Sequence, residues 1–218
     1  MTVTILMPIY NGIEYIHESV PSIIGQTHQT WELIIGINGH EENSKVYQEA
    51  KEYETKDPRI KVYDFHTIKG GKSETLNHML QFSNHDWISI LDVDDIWFPT
   101  KLESQLHWCF KYDVIGTKCQ YFGDIGVVPA IPTGDLSDFD FLQCNPIINS
   151  SCLLKKELCH WDGSLNLEDY DLWLRLWKQG NKFYNVNTIQ VFHRVHTSSA
   201  FNAQGNNNNV TLLKQKYL

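Results

Sequence analysis

Three carboxylates, Asp92, Asp94 and Asp95, crowd into four residues at the end of the apolar run Trp87-Ile88-Ser89-Ile90-Leu91. Like charges this close repel, and at a strand end they also lose solvation. A bound cation is the simplest compensation. Carboxylate oxygens are hard ligands suited to Mg²⁺ or Mn²⁺, ions often shared with a substrate phosphate. The Asp-x-Asp spacing therefore points to a metal–diphosphate site, with a solvated acidic turn as the plain alternative. A second acidic pair, Glu168-Asp169, precedes the apolar stripe Tyr170, Trp173, Leu174, Trp177. A carboxylate there can complement a helix dipole or take a proton from a substrate hydroxyl. The helix N-terminus lowers the pKa of such a group and a neighbouring carboxylate raises it. Lys72 follows Gly70-Gly71 ahead of a helical segment. A cation and free amides in that setting suit phosphate or ribose oxygens.

The elements that must position these groups alternate in the first half of the chain. Val3–Ile9, 31–37, Ile60–Phe65 and 87–91 are short apolar runs that read as strands. Ile13, Ile16, Val20, Ile23 and Ile24 form a helical stripe, Val46, Tyr47, Ala50 and Tyr53 a weaker one, and Leu76, Met79 and Leu80 mark a short helix. Continuous apolar strands separated by helices predict an α/β fold, a mostly parallel central sheet flanked by helices on both faces. Ligands of such sheets sit beyond the carboxyl ends of the strands. Tyr10, Asn38 and the acidic cluster all follow strand ends.

The second half is less regular. Residues 99–112 read as a helix, 113–117, 150–154 and 188–192 as strands, and 123–140 as hairpins and loops. Asn166 is placed to cap the helix that Gly180 ends. Asn-rich residues 206–209 read as a flexible loop, and 202–209 as a lid over bound donor. The expected organisation is one domain over 1–218: a nucleotide-binding half (1–98), an acceptor and catalytic half (99–200), and a flexible loop and tail (201–218).

Composition narrows the function classes. The 218 residues are 42% hydrophobic and carry a formal net charge of −8 without a Lys/Arg run, which argues against a general nucleic-acid grip or a basic membrane patch. No apolar segment approaches the roughly 20 residues needed to span a bilayer. The N-terminus lacks the basic start of a secretory signal and reads as a strand. Five cysteines without a C-x-x-C pair fit reduced, buried thiols. The expected location is cytoplasmic, or peripheral to a membrane.

The ordered set of motifs resembles the family 2 glycosyltransferases, which have the nucleotide-sugar-binding GT-A fold. Met7-Pro8-Ile9-Tyr10-Asn11 looks like that family's P-x-Y-N start, and Gln26-Thr27 with Trp31-Glu32-Leu33-Ile34-Ile35 like its Q-T…E-I-I stretch. Gly70-Gly71-Lys72-Ser73 with Leu76-Asn77 resembles its G-K-S…L-N segment. Leu91-Asp92-Val93-Asp94-Asp95-Ile96-Trp97 matches its L-D-x-D-D-x-W block, and Glu168-Asp169-Tyr170-Asp171-Leu172-Trp173-Leu174-Arg175 its E-D-Y-D-L-W-L-R block. Arg194-Val195-His196 with Ser198-Ser199 looks like its terminal R-x-H…S. The likeness runs from about Val3 to Ser199. One departure is the turn Ile37-Asn38-Gly39-His40, where the family often carries D-D-G-S. An Asn amide can still accept from uracil N3–H and donate to a uracil carbonyl.

The resemblance implies a metal-dependent, inverting hexosyltransferase. It would move a sugar from a nucleotide diphosphate donor, most readily a UDP-sugar, to a glycan, lipid-linked or protein acceptor. Pro8, Ile9, Tyr10, Asn38, Lys72, Asp92 and Val93 would contact nucleotide. Asp94 and His196, with Asp92, would hold Mn²⁺ or Mg²⁺, and His193 competes with His196. Asp169 would be the general base, with Glu168 as neighbour or alternate. Trp97 or Trp161 could line the acceptor site. A non-catalytic nucleotide-sugar binder and a metal-dependent phosphohydrolase are the alternatives.

Overall fold

The computed structural model describes residues 1–69, 71–196 and 206–218, without the side chains of residues 206 and 207. In chain order the elements are β1 (Val3–Ile9), α1 (Ile16–Ile24), β2 (Trp31–Asn38), α2 (Lys45–Lys51), β3 (Ile60–Phe65), α3 (Lys72–Met79), β4 (Trp87–Ile90), β5 (Ile96–Trp97), α4 (Lys101–Leu106), β6 (Val114–Gly123), β7 (Gly134–Asp135), β8 (Leu153–Lys155), α5 (Glu168–Lys178), β9 (Phe183–Val195) and α6 (Asn206–Lys216).

The strands form one sheet in the order β3-β2-β1-β4-β8-β6-β9-β5, with β7 pairing to β9 off that path. β3, β2, β1 and β4 are parallel. β8 runs antiparallel to both β4 and β6, and β6 is parallel to β9. The sheet is thus parallel in the first half, as expected, and mixed overall. A parallel neighbour needs a long crossover, usually a helix. Residues 124–152 supply Gly, Pro and Asp instead, and the chain returns antiparallel.

Alternation along the strands explains why both faces are covered. Val3, Ile5, Met7 and Ile9 of β1 join Leu33, Ile35 and Ile37 of β2 in a core shared with Val20 and Ile23 of α1. Leu6 of β1, Ile34 of β2 and Ile88 and Ile90 of β4 point the other way, onto Leu76 and Met79 of α3 and Leu172 and Trp173 of α5. Successive side chains of a strand face opposite sides, so a run apolar at every position needs two cores.

Several expected boundaries move. The 99–112 helix shortens to α4, and the 188–192 strand lengthens to β9. Asn166 does not cap α5: it adopts φ 54°, and Leu167 takes the cap position without a side-chain bond. Residues 206–209 open a helix, α6, rather than a loop. Leu213 is fully buried in the α5-side core, with Val210 and Tyr217 packed against it. Lys216 Nζ and Tyr217 Oη each donate 2.8 Å to Asp171 Oδ1, which ties the end of α6 to the first turn of α5. Residues 201–205 of the expected loop, like 197–200 and Gly70, lie outside the described residues.

One buried polar cluster joins the two halves of the sheet. Gln105 Nε2 donates to the carbonyls of Ile115 (2.6 Å) and Ser151 (2.7 Å), while its Oε1 accepts from Lys101 Nζ at 2.8 Å. Lys101 Nζ also donates to Ser89 Oγ and lies 3.9 Å from the Trp97 ring centroid, and burial lowers its pKa to about 7. Burying unmatched polar groups is costly. Replacing Gln105 with Leu is expected to lower the unfolding free energy by about 2–4 kcal/mol, with m unchanged, in a urea titration. A wild-type midpoint would show that the amide is dispensable.

Candidate functional site

Because β1, β2 and β4 are parallel, their carboxyl ends share one edge. A cavity of about 530 Å³ opens there, and its walls include Tyr10, Asn38, Lys72, Asp92, Asp94 and His196. Pro8 and Val93 also line it. Ile9 is fully buried in the core on the α1 side of β1, and its side chain does not line the cavity. Asn38 is 2% exposed at the end of β2. Gly39 follows at φ 76°, and a Cβ on it would come within 2.2 Å of the Tyr10 ring. Tyr10, itself 57% exposed, therefore rests on a turn that has no side chain.

The acidic turn after β4 resolves into three separate environments. Asp95 is fully buried and accepts from His193 Nδ1 (2.9 Å) and the Arg194 amide (2.8 Å). Burial opposes a charge on His193, but Asp95, Asp92 and Asp94 outweigh it and raise its pKa to about 9. Asp95 thus fastens the end of β9 to the acidic turn, and a short strand, β5, follows it rather than a helix. Arg194 completes the fastening: Nε donates to the Asp94 carbonyl (2.9 Å), and the guanidinium pairs with Glu18 (2.8 Å) over the Tyr15 ring. This anchor brings His196 Nε2 within 3.2 Å of Asp94 Oδ2. Burial, then the charges of Asp95 and Asp92, raise the Asp94 pKa. Asp94 and His196 therefore meet, while His193 is committed to Asp95.

Asp92 faces the opposite side. Its Oδ1 lies 2.5 Å from Lys72 Nζ, and both of its oxygens accept from Asn149 Nδ2 at 3.4 and 3.2 Å. Burial works against its charge, yet Lys72 and Asn149 hold its pKa below the ordinary carboxylate value. Both Asp92 oxygens are thus engaged by nitrogen donors, which separates Asp92 from the expected metal pair. Lys72 opens α3 and also lies 3.8 Å from Glu168 Oε1. Burial opposes its charge, and Asp92 and Glu168 more than compensate, so its pKa is raised.

Asp169 sits beside this bridge, in the first turn of α5. Its Oδ2 accepts from Asn145 Nδ2 at 3.0 Å. Burial and the Glu168 charge push its pKa up to about 6, against Lys72, the Tyr170 amide and Asn145. Burial and the neighbouring carboxylate thus outweigh the Lys72 charge and the hydrogen bonds from the Tyr170 amide and Asn145. Asn145 and Asn149 carried no motif signal, since their partners are set by tertiary folding. Trp97 and Trp161 are each 2% exposed, and neither lines the cavity beside Asp94. Trp97 Nε1 instead donates to the Ser150 carbonyl at 2.7 Å.

The arrangement brings together a carboxylate–imidazole pair, a lysine flanked by two carboxylates, and a carboxyl of raised pKa, all at one sheet edge. No helix among the described residues is long and apolar enough to cross a membrane.

Comparison with known proteins identifies the family and the fold. A family profile, glycosyl transferase family 2, matches residues 4–157. The chain is 30% identical over 196 residues to the putative glycosyltransferase EpsE of Bacillus subtilis (strain 168), covering 84% of this chain and 69% of that protein. It is 26% identical over 206 residues to an Escherichia coli UDP-Glc:alpha-D-GlcNAc-diphosphoundecaprenol beta-1,3-glucosyltransferase, WfaP, covering 90% and 78%. It spans 36% of the length of an uncharacterised glycosyltransferase of Rickettsia felis. Among solved structures, S. aureus TarS 1-349 in complex with UDP-GlcNAc superposes with a TM-score of 0.78 at 17% identity, over 100% of this chain and 66% of that one. The profile covers well over half of the sequence and the fold is shared throughout its length: the chain belongs to glycosyl transferase family 2 and has the GT-A fold.

Proposed function

We propose that this chain transfers a hexose from a UDP-sugar to an acceptor hydroxyl with inversion, using a divalent cation at the diphosphate. Residues 1–98 bind the donor and 99–200 the acceptor, as halves of one unit. The observation that carries the reading is the meeting of Asp94 Oδ2 and His196 Nε2 at 3.2 Å on the cavity edge. Among the described residues no group of three or more His, Cys, Asp and Glu is arranged around a metal position. Two protein ligands suit Mg²⁺ or Mn²⁺ when diphosphate and water supply the other oxygens. A cation there also relieves the crowding that raises the Asp94 pKa. Asp94 and His196 would hold it, and it would act as a Lewis acid toward the leaving diphosphate.

The remaining steps fall to side chains. Asn38 meets the base through an amide able to accept from N3–H and donate to a carbonyl of uracil. Tyr10 walls the base slot. Lys72 places positive charge beside the donor phosphates or ribose. Asp169 takes the proton of the acceptor hydroxyl as its oxygen bonds to the anomeric carbon. The anomeric C–O bond to the diphosphate breaks, and its electron pair leaves with UDP. Glu168 stays paired toward Lys72.

The name of WfaP, with UDP-Glc as donor and a diphosphoundecaprenol-linked acceptor, supports a UDP-sugar and a lipid-linked acceptor for this chain. A cytoplasmic site of action, peripheral to a membrane, fits such an acceptor.

Two outcomes test the reading. Asp94→Ala should abolish Mn²⁺-dependent UDP binding in calorimetry, and wild-type affinity in that variant would overturn the cation assignment. Asp169→Asn should bind UDP as the wild type does, yet lose transfer by about 10²-fold or more. Wild-type transfer should itself fall as pH drops through about 6, where Asp169 takes up its proton. Full turnover by Asp169→Asn would remove Asp169 from the base role.

A further inference from the structure

Two asparagines of one short segment, 145–149, reach the two functional ends of the site. Asn145 Nδ2 donates to Asp169 Oδ2 at 3.0 Å, and Asn149 Nδ2 donates to Asp92 at 3.2 Å. The segment joins the loops after β7 to β8, and a single 3-10 turn, Asn149–Ser151, begins at its last residue.

Its backbone is held from several sides. Asn185 Nδ2 of β9 donates to the Pro146 carbonyl at 2.8 Å. Pro146 and Ile147 are buried, and a residue that precedes proline, as Asn145 does, is restricted to extended backbone. Ser150 Oγ accepts from the Asp92 amide at 3.1 Å, which ties the acidic turn directly to this segment.

The amide orientations are also determined. Asn145 Oδ1 accepts from the Ile147 amide at 3.2 Å, an obligate donor. Its NH₂ is therefore the group aimed at Asp169, and no flip satisfies both partners. Asn149 is different. Its Oδ1 is buried without a hydrogen-bond partner among the described residues. An unmatched buried acceptor costs stability, so folding alone does not explain this amide. Its bond to Asp92 does.

We propose that Asn145 and Asn149 are positioning residues of the transfer reaction, Asn145 aiming Asp169 at the acceptor hydroxyl and Asn149 holding Asp92 for the donor. The inference rests on the glycosyl-transfer reading given above. It makes segment 145–149 a ruler between the donor and acceptor ends of the site. The ionisable groups that face Asp169 are Glu168 and Tyr170 on α5, Lys72 of α3 and Cys152 ahead of β8. None of these is altered by changing Asn145, and the Asn145 bond favours the ionised form of Asp169.

The test does not depend on turnover. In protein carrying ¹³C-labelled aspartate, the Asp169 carboxyl is titrated by NMR in the wild type, Asn145→Ala and Asn145→Asp. Asn145→Ala should move the midpoint up by about one unit. Asn145→Asp keeps an acceptor for the Ile147 amide, so the loop survives, but it replaces the donor to Asp169 with a like charge. It should move the midpoint at least as far. If the Asn145 amide did not act on Asp169, Asn145→Ala would titrate at the wild-type midpoint, and that result, or coincident curves for both variants, would overturn the assignment of Asn145. For Asn149, Asn149→Ala should weaken UDP binding with Mn²⁺ about tenfold while the Asp169 midpoint stays put. Unchanged UDP affinity, or a shifted Asp169 midpoint, would overturn its part. If wild-type protein binds no UDP, the glycosyl-transfer reading fails, while the titration still decides the Asn145 contact.

Discussion

Five carboxylates, Asp92, Asp94, Asp95, Glu168 and Asp169, share one edge of the sheet, and their mutual repulsion is the constraint the site is built around. Charges brought so close out of bulk water must each find a compensating partner. The fold gives each a different one. Asp95 has His193 and the Arg194 amide; Asp92 has Lys72 and Asn149; Asp169 has Asn145; Glu168 lies toward Lys72. Asp94 meets His196. The differences in partner separate the chemical roles. A carboxylate held below its usual pKa, one raised toward neutrality and one crowded by anions share this edge.

Compensation on this scale requires elements far apart in sequence to arrive together. The parallel half of the sheet supplies the acidic turn, and α3 supplies Lys72. The antiparallel return through β8 carries segment 145–149 past Asp92, and β9 runs far enough to deliver His196. The mixed topology therefore matters to the chemistry. A fully parallel sheet would place another crossover where the Asn145–Asp169 and Asn149–Asp92 contacts now lie. The Gln105 cluster, which links α4 to Ile115 and Ser151, holds the end of this segment in register with β6.

Much of this was legible in the sequence for a physical reason. The apolar runs of β1, β2 and β4 identify buried strands, and polar residues just past them mark the ligand edge. The acidic cluster and the E-D pair stand out because clustered charge at element ends demands compensation. What was hidden depends on tertiary contact. Asn145 and Asn149 look like ordinary loop residues until their partners are known. The Asn-rich start of α6 resembles a linker by composition, since Asn is a poor helix former. Its helix is carried by Val210, Leu213 and Tyr217, whose spacing of three and four does place one face against the core. That periodic signal was present, but composition outweighed it. The proposed cap at Asn166 failed because its backbone takes a left-handed turn two residues before α5 begins.

The Tyr10–Gly39 contact has a consequence for how the nucleotide slot can vary. The aromatic wall is seated on bare backbone, so the slot's breadth is governed by an atom the chain lacks. Any side chain at that position would both strain the left-handed turn and lever the ring outward. The opening beside Asn38 would then widen without a single change among the groups proposed to contact the base. Selectivity between a one-ring and a two-ring base can thus shift through a residue that touches neither.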